Sequence, residues 1–462
     1  MTRVFVCFGL LMLALGSAPL SAVERSRDGF GDVLLFPYFS VGGSVDTMLS
    51  VGARDVVPGP AASGAVALRV VLRFASPAPG VDIDPLFFHV YLGASDSWTM
   101  VLAREQGQLS VLSADQSCVQ AGRPGALLGG LPVRLQETVL PQFDIDRAEG
   151  WIEVYELGGI AHGDVGTAAR TRSCETLWQL LDTQDPESWL TAPADRLRGV
   201  VHLVDAAGGT GYSFAPVALA RFRDAPVFTT VDLPYPGLAD ASPAQARLTF
   251  SDGVQRTSSF AAAPVQAVSA VLMDIQWDMD FTAESVIAAE TDLVLTLPTR
   301  PYRDDDGALL APFRLRSELV RDIPTQARVF DREGRIQDPA ASPKCTPPPQ
   351  IQPGPRLDGD LNVIAFGSDG LLESIRARPL LWYDPGFCNM GPGVPVHERI
   401  QAGRFSLRFP ADELVSDEGH VFFGIPAIPL ALSRAVNGDL GGVRANYGLT
   451  QPVARAALQE TP

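Results

Sequence analysis

The chain has 462 residues and a formal net charge of −17, with 53 acidic residues against 36 lysine and arginine residues. This balance argues against nucleic acid or an anionic membrane as a partner, because their phosphates require a basic protein face. Hydrophobic residues make up 46% of the chain, enough for a sizeable core, and the length favours two or three domains.

The N-terminal segment, residues 1–22, has the features of a secretory signal peptide. Arg3 precedes the apolar run VFVCFGLLMLALG, and the small and turn-forming residues SAPLSA follow it. We expect cleavage after Ala22, since a cut after Ala18 would leave a proline at the first mature position. The mature chain is therefore predicted to be exported.

Short apolar runs follow the signal peptide and predict β-strands. The first, DVLLFPYFSV at 32–41, has seven apolar or aromatic side chains in ten, which predicts a strand with both faces covered. Pro37 predicts that its middle is an edge or a bend. Further strands are predicted at 46–53, 65–76, 85–94, 97–104, 150–158 and 199–219.

The second half of the chain repeats this pattern, with few helical signals. CETLWQLLD at 174–182 has leucines at helical spacing, and 215–222 and 283–290 are further helical candidates. Strands are predicted at 267–277, 291–299, 360–368, 404–410 and 421–432. We therefore predict a mainly β fold of antiparallel β-sandwich-like units with a few short helices.

Two domains are predicted in the mature chain. The first is an N-terminal β-sandwich-like domain, 23–250, and the second a C-terminal β-rich domain, 251–462. The stretch 339–355 contains seven prolines and must be extended or irregular. We interpret it as a long surface loop of the second domain, and an interdomain linker is the alternative.

Four cysteines remain after removal of the signal peptide: Cys118, Cys174, Cys345 and Cys388. An even number in an exported protein predicts disulfides. Of the possible pairings we favour Cys118–Cys174 and Cys345–Cys388, because each closes the shorter loop within one half of the chain. No CxxC or HxxxH spacing occurs among these cysteines and the histidines, so we predict no zinc site.

Two acidic segments are candidate calcium sites. They are FDIDRAEG, with Asp144, Asp146 and Glu149, and RDDDG, with Asp304, Asp305 and Asp306. Calcium prefers several oxygen ligands from such a turn, but the second segment lacks the spacing of an EF-hand. Solvated surface turns are the competing interpretation. Phosphate-binding loops and dinucleotide fingerprints are absent, and we predict no organic cofactor and no catalytic residue.

A third segment, DIQWDMDF at 274–281, interleaves aromatic and acidic residues. Trp277 lies among Asp274, Asp278 and Asp280, and such combinations can stack a sugar ring and bind its hydroxyls. A strand with one aromatic face and one acidic face gives the same string. These four residues are therefore candidate glycan ligands with a purely structural alternative.

Several motifs occur in order along the mature chain: GDVLLFPYFSV, DTMLSV, YLGASDSWT, AVSAVLMDI with TDLVLTLPTR, and GIPAIPLALSRAVNG with GVRANYG. They resemble a family of exported bacterial surface proteins. Leu293 and Arg300 stand where Trp and Lys are expected, which indicates a divergent member. The resemblance implies localisation and a non-enzymatic character, and it transfers no catalytic residue.

Two functions follow from these observations. The first is a non-enzymatic exported surface or extracellular protein, structural or binding, whose partner is an unknown protein or glycan at the cell surface. It predicts an apolar patch or an exposed sheet edge. The alternative is a secreted carbohydrate-binding or carbohydrate-active protein that uses 274–281, which predicts an open groove with two nearby carboxylates.

Overall fold

Short β-strands account for about half of the residues that a computed structural model describes, and this confirms the predicted mainly β fold. The described residues are 22–54, 62–75, 83–105, 108–121, 127–128, 133–134, 148–231, 233–250, 253–284, 287–313, 326–337, 357, 359–367, 370–379, 382–383, 396–397, 401–409, 413–440 and 443–456. Within them the α-helices are α1 (Asp164–Thr171), α2 (Cys174–Thr183) and α3 (Val265–Leu272).

The strands fall into two groups along the chain. Those of the first half are β1 (Glu24–Arg25), β2 (Val33–Ser40), β3 (Val45–Ala53), β4 (Ala62–Phe74), β5 (Leu86–Leu92), β6 (Ser97–Glu105), β7 (Gln108–Leu112), β8 (Cys118–Ala121), β9 (Leu127–Leu128), β10 (Val133–Arg134), β11 (Glu149–Ala161), β12 (Leu190–Thr191), β13 (Leu197–Asp205), β14 (Thr210–Phe214) and β15 (Val217–Ala220). Those of the second half are β16 (Gln245–Thr249), β17 (Gln255–Ser259), β18 (Met273–Asp274), β19 (Gln276–Thr282), β20 (Glu290–Thr296), β21 (Gln326–Asp331), β22 (Ile336–Gln337), β23 (Leu361–Ala365), β24 (Ala377–Pro379), β25 (Trp382–Tyr383), β26 (Val396–His397), β27 (Ala402–Arg408), β28 (Glu413–Val415), β29 (Val421–Phe423), β30 (Ile425–Pro426), β31 (Ile428–Leu440), β32 (Val443–Gln451) and β33 (Ala454–Arg455).

The first half forms two antiparallel sheets that share a core. The large sheet has the order β1-β15-β2-β11-β4-β5-β8-β9, with β12 beside β11, and the six-stranded sheet has the order β10-β7-β6-β3-β13-β14. Leu34 and Phe36 of β2 meet Leu49 and Val51 of β3 in one buried cluster. Apolar side chains from facing sheets interdigitate in this way in a β-sandwich.

Strand β2 confirms the prediction of a strand with both faces covered, since all eight of its residues are buried. It lies between β15 and β11, and β15 pairs with Val33, Leu34 and Leu35 only, so this pairing ends before Pro37. The pairing with β11 is regular up to Phe36 and resumes at Phe39, with an extra residue between them. Proline has no amide hydrogen, and this bulge places Pro37 where the regular ladder is interrupted.

Helix α2 confirms the helix predicted at 174–182, and one predicted disulfide is present beside it. The Cys118–Cys174 bond joins β8 to the first residue of α2, with an S–S distance of 2.01 Å. The two cysteines are 56 residues apart, so the cross-link removes about 4 kcal/mol of unfolded-chain entropy in the loop-closure model. Cys345 and Cys388 lie outside the described residues.

The second half contributes two five-stranded sheets. The central sheet has the order β24-β23-β20-β31-β32, and the outer sheet has the order β22-β21-β27-β19-β33. Leu293 and Leu295 of β20 pack against the outer sheet, whereas Val294 joins the core of the first half. Strand β20, in the middle of the central sheet, is therefore buried on both faces. The apolar core runs across residue 250, and the predicted domain boundary there stays a prediction.

Three predicted elements differ from the structure. Residues 267–277 begin inside α3 and continue as two strands, because VQAVSAVL is apolar all round and periodicity does not separate a buried helix from a buried strand. Residues 217–220 form β15 rather than a helix, since pairing with β2 overrides local propensity. In the described part of 283–290 there is no α-helix, and 339–355 lies outside the described residues.

None of the described helices is both long enough and apolar enough to span a membrane. Helix α3, the most apolar of the three, has eight residues, seven of them buried. It packs beside β16 and β30 on the outer side of the large sheet. Its C-terminus, together with β1, β16 and β33, surrounds the cleft described below.

Candidate functional site

The predicted acid and aromatic segment spans β18 and β19, and its alternation is that of a strand. Trp277 faces the core between the central and outer sheets and is 1% exposed. Its ring lies edge-on to Phe409 with centroids 4.7 Å apart. Because the ring is covered by protein, it presents no face for stacking a sugar.

Asp274 is buried at the end of the same segment and is held by two arginines. Arg455 Nη2 donates to Asp274 Oδ1 at 2.6 Å, and Arg25 Nη2 lies 3.8 Å from Oδ2. Trp277 Nε1 also donates to Oδ2, at 3.0 Å. Burial raises the pKa of Asp274 to about 7, and the charge of Arg25 and the hydrogen bond from Trp277 oppose this because they stabilise the carboxylate.

The other two predicted acids lie on the opposite face of β19 from Trp277. Asp278 Oδ1 is 3.1 Å from Arg404 Nη2 of the neighbouring strand, and Asp280 is exposed. The structure thus separates the four candidate glycan ligands. Asp274 and Trp277 belong to the interior, whereas on the opposite face of β19 Asp278 is half-buried and Asp280 is exposed.

Asp274 lines a cleft of about 350 Å³. Four arginines also line it: Arg25 on β1, Arg27 just after β1, Arg247 on β16 and Arg455 on β33. We call it the arginine cleft and define it by these four residues. Arg25 and Arg27 are neighbours in the sequence, but Arg247 and Arg455 are distant from them, so only the packing of α3 and the surrounding strands brings all four together.

The arginine cleft carries a local excess of positive charge. Its four guanidinium groups face two carboxylates, those of Glu24 and Asp274, which leaves a formal excess of two positive charges on a chain of net charge −17. Glu24 Oε2 lies 3.8 Å from Arg247 Nη1. Each guanidinium has five N–H donors, and one carboxylate contact uses at most two of them.

The deepest arginine of the cleft is rigidly held. Arg25 Nε donates to the carbonyl oxygen of Val271 at 2.8 Å, and its Nη2 donates to that of Leu272 at 3.1 Å. These carbonyls lie at the C-terminus of α3, where the helix dipole favours a cation. The position of Arg25 is therefore fixed before any ligand arrives.

The calcium candidates fall in different environments. Glu149 is not in a loop but begins β11, and its carboxylate accepts hydrogen bonds from Tyr38 Oη and Ser374 Oγ, both at 2.8 Å. Burial raises its pKa, and the two hydroxyls oppose the change. Both oxygens of Glu149 are thus used inside the protein. Asp144 and Asp146 lie outside the described residues.

The second calcium candidate, RDDDG, forms a turn that the carboxylate of Asp304 stabilises. Asp304 Oδ1 accepts hydrogen bonds from the backbone amides of Asp306, at 3.2 Å, and Ala308, at 2.8 Å. Asp305 and Asp306 are exposed. Within the described ranges, no three His, Cys, Asp or Glu side chains converge in a metal-like group. Calcium binding stays a prediction.

Sequence reasoning missed the buried acids of the large sheet. Glu153 is fully buried, and its carboxylate accepts from Arg73 Nε at 2.6 Å, Tyr155 Oη at 2.7 Å and Trp151 Nε1 at 3.0 Å. The signal was available in GWIEVYELG, where two glutamates interrupt an otherwise apolar strand. A charge at such a position requires partners inside the fold.

Exposed apolar side chains are scattered over the described surface. The side chains with the largest exposed fractions lie on the last strand of the central sheet. Tyr447 and Leu449 on β32 are 53% and 59% exposed. The same strand runs alongside β14, where Thr450 Oγ1 donates to the carbonyl oxygen of Ser213 at 2.9 Å. This contact ties the central sheet to the six-stranded sheet and leaves alternate side chains of β32 facing outward.

Comparison of the chain with protein-family models, with curated proteins and with solved structures returned no match. The resemblance to exported bacterial surface proteins therefore stays a prediction. The disulfide, the arginine cleft and the pairing of the buried acids are the features of the fold that bear on function.

Proposed function

We propose that the protein is an exported, non-enzymatic structural or binding component of the bacterial cell surface. The Cys118–Cys174 bond carries the first part of the proposal, because disulfides persist in oxidising compartments outside the cytosol. The N-terminal signal sequence supports the same compartment.

The pairing of the acids supports binding or structure over catalysis. A glycoside hydrolase needs two carboxylates that face the same substrate, one of them free to transfer a proton. Here Asp274 is held by Arg455, Asp278 contacts Arg404, and Trp277 lies in the core. These acids act as partners of arginines within and between strands.

The proposal is tested by fractionating the producing cells and treating intact cells with protease. We expect the full chain at the cell surface, cleaved by protease while a periplasmic marker stays intact. N-terminal sequencing of that pool should begin at Val23. A periplasmic pool that the protease does not reach would contradict the surface assignment.

A second candidate function, saccharide binding, is favoured by the arginine cleft. Ser26, Thr249 and Gln255 line it beside the arginines and can exchange hydrogen bonds with sugar hydroxyls. Its volume of about 350 Å³ falls in the usual range of small-molecule sites. Binding without release of reducing ends, measured on a glycan panel, is the expected outcome. Hydrolysis of any glycan would make the protein an enzyme.

A further inference from the structure

We propose that the arginine cleft binds a carboxylated saccharide, with its guanidinium groups holding the carboxylate of a uronic acid unit. This inference rests on the second candidate function above and names the ligand class. The arginine cleft is the candidate anion-binding site, because four arginines line it in a chain where acidic residues outnumber lysine and arginine by 53 to 36.

The charge of the arginine cleft favours an anionic ligand. The formal excess of two positive charges attracts an anion, and the planar fork of arginine matches a carboxylate with two parallel hydrogen bonds. The cleft contains Arg25 and Arg455, which are fixed by Val271, Leu272 and Asp274. A site whose donors are already oriented loses little entropy on binding.

The remaining wall of the cleft combines polar and apolar side chains. Arg27, Thr249 and Gln255 are exposed, so the rim is polar and accessible. Leu248 and Met273 are buried beside it and supply apolar contact. A pyranose ring offers hydroxyls and C–H faces together, and this wall can meet both.

Free phosphate shares the oxyanion chemistry of a uronate and is the rival source. It would use the guanidinium groups and leave the rim hydroxyls and the apolar wall without a partner. A uronate oligosaccharide uses all three, and we therefore favour it. A binding assay distinguishes the two ligands by comparing the affinity of the uronate with that of its uncharged ester and with that of inorganic phosphate.

The experiment is isothermal titration of the full mature chain with trigalacturonate, its methyl ester and inorganic phosphate. We expect binding of trigalacturonate, affinity at least about tenfold lower for the uncharged ester, and weakening with salt as the charges are screened. Phosphate should bind more weakly than trigalacturonate. Phosphate binding as tightly as trigalacturonate, or equal binding of trigalacturonate and its ester, would overturn the proposal.

The variant to test is Arg27→Gln. This substitution removes one positive charge from the rim of the cleft, and because the side chain is exposed we expect folding to be unaffected. Losing a charge-assisted contact should lower affinity about tenfold or more. Arg335→Gln is the matched control, because it removes the same charge at a turn on the outer sheet where the side chain is 73% exposed. Equal affinity of wild type and Arg27→Gln would refute the assignment of the cleft.

Failure of this inference can be separated from failure of the proposed functions. Saccharide binding that does not depend on the ligand's charge or on Arg27 would support the second candidate function and refute the proposal of a uronate ligand. If no saccharide in the panel binds, both the inference and the second candidate function fail. Cell fractionation reports on the surface assignment independently of either result.

Discussion

Asp292 on β20 is the side chain whose charge should most clearly affect stability. It is 0% exposed in the centre of the central sheet, and its Oδ2 accepts a hydrogen bond from the amide of Leu372 at 2.9 Å. Burial raises its pKa from 3.8 to about 7, and the nearby carboxylate of Glu290 adds to the effect. The folded protein therefore binds this proton more tightly than the unfolded chain does.

The sign and size of the effect follow from linkage. Because the folded pKa lies above the unfolded one, the stabilisation is complete below about pH 4 and is lost as the pH rises towards 7. The difference of about three pH units, at about 1.4 kcal/mol each, corresponds to about 4 kcal/mol of unfolding free energy. Asp292→Asn is neutral at every pH and should abolish this loss.

The assay is urea unfolding of wild type and Asp292→Asn, followed by tryptophan fluorescence from pH 4 to pH 8. We expect the variant to gain up to about 4 kcal/mol relative to wild type between the two ends of this range. Asp305→Asn, at an exposed turn, is the control and should follow the wild-type profile. A difference between Asp292→Asn and wild type that stays constant with pH would refute the reasoning.

Three further variants test the scaffold. Replacing Cys118 and Cys174 by Ser should lower the unfolding free energy by about 4 kcal/mol, and an unchanged urea midpoint would argue against the cross-link. Glu153→Gln leaves the half-buried Arg73 without its counter-ion and should cost about 3 kcal/mol by thermal or urea unfolding, whereas a cost under about 1 kcal/mol would contradict the ion pair. Gly150→Ala places a Cβ 1.9 Å from the carbonyl oxygen of Arg73, so we expect at least about 3 kcal/mol of destabilisation, and a native-like melting temperature would contradict that packing.

Strand signals in this chain were local and therefore readable. The continuous apolar run of β2 predicted a strand covered on both faces, and CETLWQLLD predicted α2 from the spacing of its leucines. Segment 265–272 was different. Its side chains are nearly all buried, so no polar face marks the 3.6-residue period, and α3 was predicted as a strand.

In the candidate site, too, the local sequence predicted the direction of the side chains but not their burial. Alternation in 274–281 correctly placed Trp277 and Asp278 on opposite faces of a strand. Whether the aromatic face is covered depends on the outer and central sheets meeting there, and this is decided by residues as distant as Phe409. The sequence pattern was the same for an open face and for a buried one.

The sequence by itself determined the mainly β character, one helix and the Cys118–Cys174 pairing as the favoured choice, because these depend on local periodicity and on loop length. Only the tertiary structure decided which sheet faces are covered and which side chains pair with the buried acids. It also decided that Arg25, Arg27, Arg247 and Arg455 line the same cleft. Their sequence separations run to more than 400 residues, from Arg25 to Arg455. Burial and charge convergence are properties of the packed chain, and no local pattern encodes them.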